Sequence, residues 1–397
     1  MNNNTKSAQT AYAHWMDSVP GLGLRGCMKL LIECEAPKAV YELSEKELEE
    51  LVNGKIITIE QKEALITWKK KYEPEILMEN LGQKGIRCIY QEETAYPDKL
   101  RNIDLPPLNL YVKGALPNPE YPSIGIVGAR MCSEYGRYLA RKYGEYMAMQ
   151  GIQVISGMAL GIDGIAQNAA LDKGGTSYGI LGCGIDICYP DGNRNLYQRL
   201  SVSGGVISEY IPGTQPKSGL FPMRNRIISG LSDALLVIEA RERSGSLITV
   251  DRALEQGKEV YAVPGRVVDA LSSGCNRLIQ QGANMALSPA GVAEAIWQSF
   301  DAGQNRKHRC KNENESGDDS VQIQQEQKKL HNLSREEAFV YAVLTDTPTT
   351  VDEIYCRIIR KKDKNAITMP ELYTILMNLK LKGCVETDGG RYYIPLA

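Results

Sequence analysis

The middle of the chain, 121–286, alternates short apolar runs with amphipathic segments, and nearly every apolar run ends at a glycine or another small residue. The runs 124–127 and 234–238 are apolar on both faces, which is typical of strands covered on both sides. Helical patterns fall between such runs, notably at 133–150 and 246–256. Strands that alternate with helices predict an α/β fold with an extended, Rossmann-like parallel sheet.

The turns that end these strands carry the first candidate ligand residues. One strand is followed by Gly128 and Arg130, and the next by Ser156 and Gly157. A glycine lets the backbone approach a ligand closely, and the following helix start offers free N–H groups to an anion. In an open α/β sheet, ligands lie at the carboxyl ends of the strands. As a set the turns predict a phosphate-binding edge, although any single glycine could serve only close packing.

The stretch 210–232 contains cations and an aromatic side chain but no acidic residue. Its candidate binding residues are Lys217, Phe221, Arg224 and Asn225. Cations pair with phosphates, and an aromatic ring offers a face on which a base can stack. This combination favours a single nucleic-acid strand over a duplex.

A structural role remains open for part of this stretch. Arg224 and Arg226 could form ion pairs with nearby carboxylates, for which Glu209, Asp233 and Glu239 are available. Phe221 could belong to the core in the same way. Lys217 lies in a loop rich in glycine and proline, so we expect its side chain to be exposed.

A second anion site is predicted at Ser244, Gly245 and Ser246, which open a helical pattern. A helix start of this kind presents free N–H groups. Arg241 and Arg243 flank it and add positive charge.

The sequence lacks the residues that several common kinds of active site require. The dinucleotide fingerprint G-x-G-x-x-G is absent after the first strand, and no Gly-Lys-Ser or Gly-Lys-Thr of a phosphate-binding loop occurs. No histidine lies between His14 and His308, so a serine or cysteine nucleophile in the core has no histidine partner. With 3 histidines and no C-x-x-C we expect no metal site and no cofactor.

The composition indicates in which cellular compartment we expect the chain and how it could bind nucleic acid. The net charge is −2, so any nucleic-acid binding must come from a local patch. The 10 cysteines follow no framework spacing, which indicates reduced thiols. The first ten residues are polar and no run of 18 apolar residues occurs, so we expect a cytoplasmic protein without a membrane span.

The chain divides by composition into four parts. We predict a helical domain at 1–83, a core at 84–300 whose connector is 84–120, a polar and flexible linker at 301–330 and a last domain at 331–397. The last part contains three helical patterns followed by a hairpin pattern, at 335–344, 351–359, 369–382 and 385–395. Three helices and a hairpin are typical of a winged helix.

These motifs, taken in order, resemble those of the DprA/Smf family (DNA-processing protein A). The likeness spans most of the chain and includes YPDKL at 96–100, IVGAR at 126–130, ISGMALGID at 155–163, LGCG at 181–184, FPMRNRI at 221–227, SGSLIT at 244–249 and VPG at 263–265. One departure is Gln167, where the family often has a histidine.

The resemblance implies a cytoplasmic bacterial protein of natural transformation. Members of the family bind incoming single-stranded DNA, load the RecA recombinase onto it, form homodimers and act without catalytic turnover. Single-strand binding protein is a further partner that we consider. The family also implies a helical N-terminal domain and a C-terminal winged helix, whose role in binding DNA or protein stays open. Its DNA pocket would include Arg130, Lys217, Phe221, Arg224 and Asn225, and more loosely Arg194.

Two other functions remain as alternatives. A Rossmann-type nucleotide phosphoribohydrolase would share the helix start at Ser244, with Thr249 and the acidic Glu255 downstream, but it would need a Gly-Gly loop where Arg243 and Ser244 stand. A purely structural dimer scaffold would have no affinity for DNA.

Overall fold

The computed structural model describes residues 3–315, 337, 340–341, 344, 349–360, 368–382, 385–388 and 391–393. The chain divides into two compact units, Met1–Ala302 and Gly303–Ala397.

The first unit is built on a nine-stranded sheet. Its strands are β1 (Arg87–Tyr90), β2 (Asn109–Gly114), β3 (Ser123–Val127), β4 (Gln153–Ser156), β5 (Ser177–Ile180), β6 (Gly204–Ser208), β7 (Ala234–Val237), β8 (Glu259–Ala262) and β9 (Asn284–Met285). The spatial order is β1-β2-β6-β5-β4-β3-β7-β8-β9. β1 and β2 pair antiparallel, as do β2 and β6, and all other neighbours pair in parallel.

Six helices precede the sheet, and eight more are connected to its strands. The first six are α1 (Asn3–Asp17), α2 (Gly23–Cys34), α3 (Pro37–Glu42), α4 (Glu45–Asn53), α5 (Ile59–Lys71) and α6 (Pro74–Gln83). The others are α7 (Asp98–Arg101), α8 (Glu134–Met149), α9 (Ile162–Asp172), α10 (Arg194–Ser203), α11 (Leu220–Leu231), α12 (Gly245–Glu255), α13 (Ser273–Gln280) and α14 (Pro289–Glu315).

The predicted α/β class with a mostly parallel, Rossmann-like sheet is confirmed. The apolar runs form strands because they are buried on both faces, and two separate apolar clusters cover β3 and its neighbours. The predicted and observed ends differ by about one or two residues, which is typical of element boundaries. Ser133 caps α8, with its hydroxyl accepting a hydrogen bond from the Gly136 N–H at 3.1 Å.

The strand order reverses at β3, which lies between β4 and β7. β4, β5 and β6 follow on one side of β3, and β7 and β8 follow on the other. The loops that leave β3 and β7 therefore diverge to opposite sides and leave a crevice beyond their carboxyl ends.

The predicted helical domain at 1–83 lies in the same compact unit as the sheet, and its boundary stays a prediction. Hydrogen bonds between α1 and β2 explain why the helical segment and the sheet form one compact unit. His14 Nδ1 lies 2.9 Å from the Tyr111 hydroxyl, and that hydroxyl lies 2.8 Å from an Asp17 oxygen. Asn109 donates from its side chain to the Ala13 carbonyl at 3.1 Å. The first helix is thus joined to the sheet by a network of polar contacts.

The predicted linker at 301–330 differs from the structure in its first half, where α14 continues to Glu315. Lysine, arginine, glutamine and glutamate dominate this stretch together with asparagine, and the first four are good helix formers even without apolar anchors. The rest of the linker, 316–330, lies outside the described residues.

The second unit contains α15 (Val351–Arg360), α16 (Met369–Leu381) and a hairpin of two strands. The strands β10 (Glu386–Asp388) and β11 (Arg391–Tyr393) pair antiparallel. Most of the helix predicted at 335–344 lies outside the described residues, so the winged helix stays a prediction.

Among the described residues, no helix combines the length and the apolar character that a membrane span requires.

Candidate nucleic-acid interface

A cleft of about 730 Å³ lies beyond the carboxyl ends of β3 and β7, at the reversal of strand order. Three chain segments form most of its wall: the loop after β3, the loop after β7 with the start of α12, and the first turns of α11. The predicted residues that line it are Gly128, Arg130, Phe221, Arg224, Asn225, Ser244, Gly245 and Ser246. The sheet therefore brings together residues more than 100 positions apart in the sequence.

Aromatic rings and a guanidinium group meet on one wall of the cleft. The Phe221 and Tyr189 ring centroids lie 5.4 Å apart, with 35° between the ring planes. The Arg130 guanidinium lies 5.8 Å from the Phe221 centroid. Phe221 is half-buried, whereas Tyr189 and Arg130 are exposed. Phe221 thus lines the cleft instead of filling the core, and flat groups that could stack on a base surround it.

Arg224 lies at the floor of the cleft and is almost completely buried. Its Nη1 donates to the Gly157 carbonyl at 2.9 Å and also to the Ile180 carbonyl. Burial lowers the pKa of Arg224 to about 10, and the nearby Asp163 carboxylate opposes that change. The side chain therefore keeps its charge at neutral pH, but most of its surface contacts other protein groups and little of it faces the cleft.

Asp163 is the buried carboxylate beside Arg224. Its Oδ2 accepts a hydrogen bond from the Gly157 N–H at 3.0 Å. Burial raises the pKa of Asp163, and the charge of Arg224 counteracts this effect. The two charges compensate each other at the base of the cleft, so the free positive potential must come from the exposed cations.

The start of α12 opens onto the cleft, as its Ser-Gly-Ser sequence predicts. The Ser244 hydroxyl accepts from the Ser246 N–H at 3.4 Å and lies 2.7 Å from the Ser246 hydroxyl. Gly245 faces open space. Arg241 and Arg243 line the cleft and are exposed. A helix start with two arginines beside it is suited to an anionic group.

Two predicted residues, Ser156 and Gly157, do not line the cleft. Ser156 is fully buried, and its hydroxyl donates to the Ile126 carbonyl at 2.5 Å. A Cβ on Gly157 would lie 2.6 Å from Arg224 Nη2 and 2.7 Å from Asp163 Oδ2. The glycine after β4 therefore allows the Arg224 and Asp163 side chains to pack closely beneath the site, which is the packing role that the sequence left open.

The two remaining predicted cations lie at different places. Lys217 is exposed as expected, between Pro216 and Ser218, which both line the cleft. Arg194 is exposed, does not line the cleft, and its Nη2 lies 3.1 Å from an Asp191 oxygen. The sequence thus identified Lys217 as a residue at the rim of the cleft. Arg194 instead forms an ion pair with Asp191, three residues earlier in the chain.

Arg226 has the structural role that the sequence left open, because it forms an ion pair with a nearby carboxylate. Both of its terminal nitrogens donate to the Glu209 carboxylate at 2.7 Å, and the two side chains are almost fully buried. Asn225 differs because it lines the cleft, although its Oδ1 also lies 3.3 Å from Arg224 Nε. Glu209 is therefore committed to an ion pair.

The sequence missed two large hydrophobic side chains that line the cleft and are exposed, Tyr189 and Met131. Tyr189 is followed by Pro190 in the sequence, but its contact with Phe221 depends on how two loops fold together. Gln167, where a histidine was a family expectation, is fully buried. Its side chain accepts from the Met158 N–H at 3.1 Å and donates to the Tyr178 carbonyl at 2.9 Å.

Carboxylates are scarce around the cleft. Asp163 is the single acidic residue among those that line it. Glu255 lies at the far end of α12 and its Oε2 is 2.7 Å from Arg252 Nη1. Within the part of the chain that the structure describes, no group of three or more histidine, cysteine or acidic side chains could hold a metal ion.

Known proteins share this arrangement of sequence and fold. Residues 87–297, more than half of the chain, match the family model of DNA recombination-mediator protein A. The DNA processing protein DprA of Streptococcus pneumoniae is 42% identical over 204 residues, which cover 50% of this chain and 71% of that protein. The corresponding protein of Bacillus subtilis is 38% identical over 215 residues, covering 54% and 72%.

A further relative and a solved structure extend the likeness. The Smf protein of Synechocystis is 35% identical over 251 residues, which cover 62% of this chain and 63% of that protein. The crystal structure of Streptococcus pneumoniae DprA matches with a TM-score of 0.62 and 33% identity, over 72% of this chain and 98% of that chain. The chain therefore belongs to the DNA recombination-mediator protein A family, which includes the DprA and Smf proteins.

Proposed function

We propose that this protein binds single-stranded DNA in the cleft beyond β3 and β7 and acts as a recombination mediator without catalytic turnover. The observation that carries the proposal is the wall formed by Phe221, Tyr189 and Arg130, with ring centroids 5.4 Å apart and the guanidinium 5.8 Å from the Phe221 ring. A base that enters the cleft would stack on these groups, and its phosphate would lie near the start of α12.

The preference for a single strand follows from the faces that the cleft offers. The bases of a duplex are stacked on each other and present only their edges, whereas an unpaired base presents its ring face. Stacking of one base on an aromatic side chain contributes about 1–3 kcal/mol. Phe221 and Tyr189 supply two such rings, and the exposed Arg130 adds a cation that can contact either a base or a phosphate.

The charge of the cleft supports binding to a phosphate backbone. Arg130, Arg241 and Arg243 are exposed at its wall, and Lys217 is exposed at its rim. The one lining carboxylate, Asp163, is buried beside Arg224 and compensated by it. A locally positive site on a chain of net charge −2 is what a phosphate-binding patch requires.

The phosphoribohydrolase alternative is less well supported. Such an enzyme needs a carboxylate that faces the glycosidic bond. Asp163 is held by the Gly157 N–H, Glu209 is paired with Arg226, and Glu255 lies at the far end of α12. None of these carboxylates is available at the cleft wall.

The wider role that we propose rests on family membership. We propose that the protein loads RecA onto the bound strand during DNA processing in natural transformation, that it acts as a homodimer in the cytoplasm, and that single-strand binding protein is a further partner. The family description and the names of the relatives support a role in DNA processing and recombination. The C-terminal winged helix is proposed as an accessory contact to DNA or protein.

Fluorescence anisotropy of a labelled oligo-dT tests the binding itself. We expect saturable binding without nucleotide or metal, competition by unlabelled single strands, and little competition by a blunt duplex of equal length. Equal competition by the duplex, or no binding at low salt, would contradict the proposal. The latter result would favour the scaffold alternative.

Two further assays separate the mediator from the enzyme. In the first, RecA is added to single strands already coated with single-strand binding protein, and the onset of its DNA-dependent ATPase is timed. We expect this protein to shorten the delay. In the second, the protein is incubated with nucleoside monophosphates, and we expect no free base; release of free base would establish the hydrolase alternative.

A further inference from the structure

Helix α8 begins beside the cleft and has one face in the core and one in solvent. The buried face includes Gly136, Ala140, Tyr143 and Met147. The opposite face exposes two aromatic rings, because Tyr135 has 48% and Tyr138 has 56% of its surface exposed. Exposed tyrosines at a spacing of three residues lie next to each other on a helix.

The start of α8 is fixed at the cleft. Met131 lines the cleft, and Ser133, two residues later, caps the helix. The Ser133 N–H donates to the Glu239 carboxylate at 2.9 Å, which ties the helix start to the chain that follows β7. The Tyr135 hydroxyl donates to the Pro264 carbonyl at 3.0 Å. Helix α8 therefore begins two residues after a residue of the cleft wall, and Tyr138 lies about one turn along it.

Positive charge accompanies the rings along this face. Lys142 Nζ lies 5.2 Å from the centre of the Tyr138 ring. Arg141 is exposed, and its guanidinium forms no ion pair with the described residues. Arg137 differs, since its Nε lies 3.3 Å from a Glu134 oxygen. Tyr138, Arg141 and Lys142 thus combine one exposed ring with two exposed cations that form no ion pair with the residues that the structure describes.

We propose that a bound single strand continues from the cleft along α8, with a base stacked at Tyr138 and its backbone beside Arg141 and Lys142. The proposal rests on single-strand binding in the cleft and extends it to a longer site. The chemistry is that of general single-strand binding surfaces, where aromatic platforms alternate with cations. Tyr138 lies about 6 Å along the axis of α8 from Glu134, and Lys142 about 12 Å, so a strand that fills the cleft must continue past the helix start to reach these side chains.

The test compares oligonucleotide lengths on the full chain. Labelled oligo-dT of about 5 and about 20 nucleotides is titrated with wild-type protein and with Tyr138→Ala/Arg141→Glu. Both substitutions are on exposed side chains, so we expect no loss of folding. We expect at least about fivefold weaker binding of the long oligonucleotide, the lower limit for one lost stack, and unchanged binding of the short one.

The control is Tyr121→Ala/Lys173→Glu, which changes an exposed tyrosine and an exposed lysine near the amino-terminal edge of the sheet. It is expected to bind both lengths as the wild type does. If the α8 variant binds the long oligonucleotide with wild-type affinity, the extended path is wrong. If wild-type protein binds neither length, the proposed function itself fails.

Photo-crosslinking of wild-type protein supplies a second measurement that needs no variant. An oligo-dT of about 20 nucleotides with 5-iodouracil near one end should crosslink to the α8 peptide that contains Tyr138. The same label on the short oligonucleotide should crosslink only to cleft peptides. Absence of α8 crosslinks from the long oligonucleotide would overturn the path, and a partner protein would then be the better explanation for this face.

Discussion

The Arg130 guanidinium lies 5.8 Å from the centre of the Phe221 ring. Arg130 follows β3, whereas Phe221 belongs to the first turn of α11, and Tyr189 joins them from the segment after β5. The carboxyl ends of parallel strands meet at one edge of the sheet, so these loops converge at the reversal of strand order. The site is thus a product of topology as much as of local motifs.

Replacing Phe221 by alanine should weaken single-strand binding without unfolding the protein. The ring is half-buried at the cleft wall, and its loss removes one stacking surface. We expect affinity to fall by about 5- to 150-fold, which corresponds to about 1–3 kcal/mol for one base. Anisotropy with labelled oligo-dT measures the effect. Phe221→Trp should retain most of the affinity, and Tyr121→Ala, at an exposed site before β3, should have no effect.

Replacing Arg243 by alanine should alter the salt dependence of binding. Each phosphate contact of a single strand contributes about 0.7 to the slope of log affinity against log salt concentration. Arg243 is exposed beside the start of α12, so its loss should lower the slope by about that amount. Lys173→Ala, at the opposite end of α9 from the cleft, is the matched control. An unchanged slope for the Arg243 variant would exclude a phosphate contact there.

The ion pair of Arg226 and Glu209 should contribute to the stability of the fold and not to the binding of single-stranded DNA. Glu209→Gln leaves the Arg226 charge buried with a weaker partner, and breaking one side of a buried pair costs about 3–5 kcal/mol. Urea unfolding of the variant should show that loss. Binding measured well below the transition should stay close to wild type, whereas a large affinity loss in a folded variant would give Glu209 a direct role.

Asp17 and His14 should make opposite contributions to the pH dependence of stability. Burial raises the pKa of Asp17 to about 6 and lowers the pKa of His14 to about 4. Between about pH 4 and 6, folded Asp17 holds a proton that the unfolded chain has released, so its contribution falls as pH rises. His14 is neutral in the folded chain and charged in the unfolded chain there, so its contribution rises with pH.

Asp17→Asn should therefore remove the contribution of Asp17 and leave the pH dependence of stability that His14 causes. Its free energy of unfolding relative to wild type should increase between about pH 4 and 6, by about 1–2 kcal/mol. The asparagine oxygen can still accept from the Tyr111 hydroxyl, which limits structural change. Urea unfolding at several pH values measures the difference. A difference that does not vary with pH would mean that the pKa of Asp17 is not raised.

The fold could be predicted because strands that are buried on both faces appear in the sequence as continuous apolar runs. Runs such as 124–127 are typical of covered strands, and Ser133 directly precedes a helical pattern that a serine can cap. The close packing beneath the site left no such pattern. Gly157 looks like a phosphate turn, yet the space above its Cα is filled by Arg224, which is a long-range contact.

The site was predictable where local chemistry decides exposure. Lys217 is exposed because its loop of glycine and proline offers no apolar cover, and Ser244 opens a helix because its sequence favours a cap. Arg224 and Arg226 have similar local surroundings but different partners, which only the packed sheet supplies. Tyr189 was missed as a site residue because its position against Phe221 requires two loops to meet.

The most direct test of single-strand binding in the cleft is a double charge reversal, Arg130→Glu/Lys217→Glu, measured by anisotropy with labelled oligo-dT. Both side chains are exposed, so the variant should keep the unfolding midpoint of the wild type, whereas a reversal at the buried Arg224 would disrupt the fold. We predict that the variant loses at least about 100-fold in affinity at low salt, since two contacts become repulsive. A folded variant that binds with wild-type affinity would contradict the assignment of the cleft.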